Sequence, residues 1–157
     1  MKKFLIVILT IISINVSAQN DNLPFKELGA YSEKFSPNNI VARMIEGLGY
    51  RFYWATESLT DKDLKYKPSE DSRSSLQTLE HIYGLSVFIL YTFEGKEYDF
   101  SQDEMTFTEL RNGTLKNLKI VYDMLNENAD ISQMQVRLNL NGQSLAFPFW
   151  NAINGPI

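Results

Sequence analysis

The chain has 157 residues, 44% of them apolar and 13% aromatic, a formal charge of −4 and no cysteine. That is material for one domain with a buried core, and the mixed, mildly acidic charge offers no basic face to nucleic acid. Without cysteine there are no disulfides, thiolate nucleophiles, thiolate metal sites or cysteine-linked lipid.

Lys2 and Lys3 precede an apolar run from Phe4 to Ile14, broken by Thr10 and Ser13, and Val16-Ser17-Ala18 supplies small residues for cleavage. This layout predicts a secretory signal peptide over residues 1–18, cut after Ala18. The run is short for a membrane span, and the competing reading is an uncleaved anchor. Removing Lys2 and Lys3 leaves 13 basic against 19 acidic residues. The expected product is exported, periplasmic or extracellular, and has no electrostatic attraction to an anionic membrane.

Residues 19–35 form a polar leader that is expected to lie along the domain surface, and the domain proper is placed at residues 36–157. Ser36-Pro37 opens a helix, with Ser as N-cap and Pro at the first helical position. Val41, Met44, Ile45, Leu48, Phe52, Ala55 and Leu59 follow at helical spacing, so the helix is predicted over 37–58. Gly47 and Gly49 suit close contact with a neighbouring element. Thr60-Asp61-Lys62-Asp63-Leu64 reads as a capped single turn, and Tyr66-Lys67-Pro68 as extended chain. A second long helix is predicted from about Ser74 to Phe93, stopping at Glu94-Gly95. It is the most apolar segment after the leader, and the other elements are expected to pack around it.

After a loop in which Tyr98 and Phe100 fold back onto the core, a third helix is predicted from Thr106 or Thr108 to Asn126. Leu110, Leu115, Leu118, Val121, Tyr122 and Leu125 supply its face, and Gly113 interrupts it. The sequon Asn112-Gly113-Thr114 falls mid-helix, where it reads as chance. The period then changes: Met134, Val136, Leu138 and Leu140 alternate with Gln135, Arg137 and Asn139. Asn141-Gly142 is a preferred two-residue turn, and Ser144 to Phe147 returns, predicting a β-hairpin that must lie on the helices. Pro148 to Ile153 has the look of another helix start. Three long helices and a hairpin leave one side of the core uncovered, so a fourth helix is expected to be largely missing after Ile157.

His81 is the only histidine. Glu80 and Glu94 fall within about 40° of each other on the helix and mark its watered side. Thr78, Ile82, Leu85 and Ile89 form the opposite, buried stripe, and His81 is expected on its flank beside Leu85 and Phe88. Two readings stay open for it: a core-edge histidine bonded to a carbonyl, or a metal ligand or general base. Glu80 points about 100° away and is a poor second ligand. Asp61/Asp63 and Asp99/Asp103/Glu104 lack the alternation and glycine turn of a calcium loop and read as capping and loop charge. No phosphate loop and no nucleophile elbow is present. Tyr50, Phe52, Tyr53 and Trp54 are read as bundle core, with a pocket lining as the alternative.

Helix, Leu64-Lys65-Tyr66-Lys67-Pro68, then a helix carrying Leu79-Glu80-His81-Ile82: this order resembles the DinB-like family. The tail Phe149-Trp150-Asn151-Ala152-Ile153-Asn154-Gly155-Pro156-Ile157 looks like the start of the last helix in an exported branch of it. The resemblance implies a mainly α fold, an up-down-down-up four-helix bundle with a long crossover. It also implies a divalent metal, zinc or nickel, held by a second-helix histidine and two from the last helix. His81 matches the first of these, and no other histidine exists. Such a site supports thiol-dependent transferases or metal-dependent hydrolases. A form extended past Ile157 with further histidines would hold the metal, whereas this chain is expected not to bind one tightly. The alternative is a non-catalytic bundle that takes a small molecule or partner in its inter-helix cleft, as a monomer or homodimer.

Overall fold

The computed structural model describes residues 22–157 apart from residues 102 and 128. The predicted signal peptide lies outside the described residues. The fold is mainly α with a small three-stranded sheet.

Helix α1 spans Pro37–Thr56 and starts as its sequence dictates, the Ser36 hydroxyl accepting the Asn39 N–H at 3.2 Å. Its far end meets Arg111, whose Nε donates to Thr56 Oγ1 at 3.0 Å and whose guanidinium lies 4.8 Å from the Tyr53 ring centroid. A buried cation at the carbonyl end of a helix is favourably placed without a carboxylate partner. Helix α2, Asp61–Leu64, is a single turn closed by a Thr60/Asp63 capping box. Helix α3, Ser75–Glu94, has a Ser74/Gln77 capping box and ends at Gly95 with φ +66°, where only glycine is unstrained. Strand β1, Glu97–Tyr98, follows directly. Helix α4, Phe107–Asn126, opens on a Thr106/Glu109 capping box. A 3₁₀ turn at Ile131–Gln133 leads into strands β2, Gln135–Leu140, and β3, Gln143–Pro148, and helix α5 covers Trp150–Asn154.

As expected, α2, α5, β1 and β2 all pack on α3, while the two long helix–helix seams are made by α4. Helix α4 packs against both α1 and α3, and its Leu110, Leu115, Leu118, Val121 and Leu125 are all essentially inaccessible. No apolar side chain of α3 is exposed, and its face away from α4 meets the sheet, α2 and α5. Asn38 Nδ2 donates to the carbonyls of Leu125 and Ala129 at 3.3 and 2.7 Å, while Arg111 meets Thr56 at the other end, so α1 and α4 run antiparallel. Tyr83 lies over Gly113 and Ser86 accepts from Asn117 at 3.1 Å, so α3 and α4 run parallel. Gly113 does not interrupt α4; a Cβ there would come within 2.6 Å of the Tyr83 ring, so the glycine is the seat of the α3–α4 contact.

The sheet order is β1-β2-β3. Strand β2 pairs antiparallel with β3 from Gln135↔Pro148 to Leu140↔Gln143, the chain reversing at Asn141 and Gly142, both at positive φ. The parallel β1–β2 pairing, Glu97↔Arg137 and Tyr98↔Leu138, was not foreseen: two residues are too few to carry a period. The sheet packs on α3 through Tyr98, whose ring meets Phe88 edge-on at 5.6 Å. Tyr98 is buried as expected, whereas Phe100, at φ +63°, is exposed.

Candidate binding surface

His81 lies on α3 with its side chain exposed, and Thr78 is exposed as well. The buried residues of α3 are Leu79, Gly84, Ser86, Phe88, Ile89, Thr92 and Phe93. The expected stripe has the right direction: Ile89 is buried, Ile82 and Leu85 are half-buried, and only Thr78, in the first turn, is exposed. His81 donates to or accepts from no described residue, so the carbonyl-bonded core-edge reading does not hold. Among the described residues no group of three His, Cys, Asp or Glu is arranged to hold a metal ion. Two of the loop carboxylates are engaged in caps and turns: Asp63 accepts from Thr60 and Asp99 from Ser101, and those hydrogen bonds hold both below the ordinary aspartate range.

The cleft between α1 and α3 has its floor on α4. Leu48, Phe52, Ile82, Ser86, Ile89 and Thr114 line it, and its volume is about 20 Å³. That is room for about one water molecule. Thr114 Oγ1 is buried there without a partner among the described residues.

Far larger spaces lie along the outer side of α1. One half, about 670 Å³, is walled by the leader (Leu28, Tyr31, Phe35) and by Met44 and Leu48 of α1. The other, about 700 Å³, lies between α1 and the segment carrying Met134, Trp150 and Ile153. Ile40 and Met44 line both halves and join them into one trough. Either half has the size of a small-molecule site. Among the described residues, six of the twelve exposed large apolar side chains, Leu28, Tyr31, Phe35, Ile40, Met44 and Trp150, converge on it.

The leader wall is built from specific contacts. Phe25 adopts φ +68° and drops its ring onto Gly49, where a Cβ would come within 2.4 Å, and it meets Tyr122 edge-on at 6.0 Å. Glu46, buried on α1, accepts the Gly29 N–H at 2.6 Å and pairs with Arg43 at 2.5 Å. Arg43 in turn donates to the Gly29 carbonyl and stacks on the Tyr31 ring at 4.3 Å. Asn39 Nδ2 donates to Lys34 O at 2.7 Å, and Trp54 Nε1 to Lys26 O at 3.1 Å. Each pin leaves a leader carbonyl or N–H satisfied, so the strap is held by complementary polar groups as well as by Phe25.

Sequence reasoning put Met44 in the core and passed over Ile40. The signal was present: apolar residues at 40, 41, 44, 45, 48 and 52 make a stripe wider than one partner helix needs. Glu46 was missed because a buried carboxylate inside a helix has no sequence signature.

Comparison of the chain with protein-family models, curated proteins and solved structures gave no match. No helix among the described residues is long and apolar enough to cross a membrane.

Proposed function

We propose that this chain is an exported, non-catalytic helical binding domain that uses the trough along α1 to take up an apolar surface. The convergence on that one trough of half of the exposed large apolar side chains among the described residues carries the reading, because concentrated apolar exposure marks interaction sites. The test is titration with an environment-sensitive apolar fluorophore. Saturable binding that Met44→Glu weakens roughly tenfold supports the reading; binding indifferent to Met44→Glu contradicts it.

The domain is proposed to be of DinB-like type. In support, α1 runs antiparallel to α4, α3 runs parallel to α4, and residues 95–106 form the crossover between them. Those directions are the ones an up-down-down-up bundle requires of its first three helices, and they support the reading; the β2–β3 hairpin and the short α5 follow. A second reading keeps the family's metal chemistry, a thiol-dependent transferase or metal-dependent hydrolase with His81 as a zinc or nickel ligand. Its support is that the His81 imidazole is exposed and has no hydrogen-bond partner among the described residues. Metal analysis of untagged protein separates the two. About one equivalent of zinc or nickel per chain, lost in His81→Ala, supports the metal site; a metal-free chain supports the binding domain. Export is tested by intact mass, a secreted product beginning at Gln19 being the expected result.

A further inference from the structure

Two rows of residues run side by side on the outer face of α1. Ile40, Met44 and Leu48 form the apolar row, and Arg43, Gly47 and Arg51 the adjacent one, each stepping by four residues. The apolar row is about 12 Å long at 1.5 Å per residue, or two helical turns. Trp150 and Ile153 of α5 stand across one half of the trough, and Ile157 lines the other. An exposed apolar row at helical spacing, beside open space of this size, is a seat for a partner helix. Gly47, in the middle of the second row, has only the Arg51 guanidinium near the space a Cβ would fill, at 3.5 Å. A neighbouring backbone is therefore free to approach closely there.

The charge at the trough selects the occupant. Lys34, Arg43 and Arg51 line it, and no acidic side chain does. Arg43 is neutralised by Glu46, but Lys34 and Arg51 make no ion pair with any described residue. This locally positive strip lies on a chain whose formal charge is −4. Pairing the trough with the same trough of a second copy would set cations against cations, which opposes an isologous dimer.

We propose that the trough along α1 is the docking groove for an acidic amphipathic helix of another polypeptide. Its apolar face would sit on Ile40, Met44 and Leu48, and its flanking carboxylates would meet Arg51 and Lys34. The proposal rests on the binding reading above and names the partner that reading leaves open.

The probe is a fluorescein-labelled designed peptide of about 18 residues, with leucines at i, i+3, i+4 and i+7 and glutamates on both flanks. The same peptide with lysine for glutamate is the control, and both are titrated onto the purified chain with and without residues 1–18. The expected result is saturable binding of the acidic peptide, roughly tenfold weaker for Arg51→Glu and for Gly47→Leu, with the lysine peptide binding at least tenfold more weakly to the unaltered chain. Circular dichroism of each variant must match the parent. Equal affinity for the two peptides overturns the proposal, as does no saturation by the acidic peptide up to about 1 mM. Peptide binding that appears only after residues 1–18 are removed also overturns it, since the chain's own apolar run would then be the occupant. So does a concentration-dependent dimer dispersed by Arg51→Glu. If the apolar fluorophore binds and the acidic peptide does not, the helix proposal fails and the binding domain stands; if neither binds, both fail.

Discussion

Helix α1 has two apolar faces, and only one is closed by the rest of the fold. The inner face, with Ile45 and Tyr53 fully buried, packs on α4 opposite Leu115, Leu118 and Val121. The outer face, with Ile40 and Met44 about two-fifths exposed, looks into the trough. Both faces come from the same helix and the same kinds of side chain. What separates them is α4: burial stabilises only where another element supplies the opposing surface. The inner face therefore holds the domain together, and the outer face is left free to hold something else.

The comparison is broken most severely from the inside. Leu118→Ala removes a side chain that is 1% exposed on α4, and a loss of about 2–5 kcal/mol is expected, read from the urea midpoint at unchanged slope. A loss below about 1 kcal/mol would mean that the α4 seams do not hold the domain together.

Gly49→Ala attacks the strap that walls the trough. Its Cβ would fall within 2.4 Å of Phe25, so the ring must leave. The expected cost is about 1–3 kcal/mol, and limited proteolysis should cut the leader first. If the cost appears with the leader still protected, Phe25 has found another seat and the strap does not depend on Gly49.

Ser36→Ala removes the hydroxyl that accepts the Asn39 N–H and is expected to cost about 1 kcal/mol. It should leave the trough's affinity unchanged, because the cap serves the helix as a whole.

A smaller effect follows from pH. Glu109 accepts from the Thr106 hydroxyl and N–H, and these bonds hold its carboxyl below the ordinary value of 4.5. Because the folded pKa is the lower one, the cap's contribution is full above 4.5 and is lost as pH falls through the folded value. Glu109→Gln should flatten the acid limb of the stability curve below 4.5 and leave the limb above it unchanged; an identical acid limb would show that the bond forms equally in the unfolded chain.

The helices were legible because each carries its own start and stop. Ser36-Pro37, Ser74 with Gln77, Thr106 with Glu109, and Gly95 are local signals that tertiary contacts had no reason to override. The alternation from Met134 to Leu140 likewise marked extended chain. What stayed hidden depended on partners distant in sequence. The seat of α3 on α4 is set by Gly113 receiving Tyr83, thirty residues apart. The pairing of Glu97 with Arg137 needs the sheet to exist first. The trough was readable only as an excess: Ile40 beside Val41 and Met44 beside Ile45 give α1 more apolar width than one neighbour can cover, and nothing in the spacing says which row is left open.

The most direct measurement of the central claim is Met44→Glu followed in two ways on one sample, by urea unfolding and by binding of the apolar fluorophore. Met44 is 38% exposed on the outer face, so the account predicts a stability change within about 0.5 kcal/mol together with roughly tenfold weaker binding. A loss of several kcal/mol with binding unchanged would place Met44 in the core and contradict the division of α1 into a closed face and an open one.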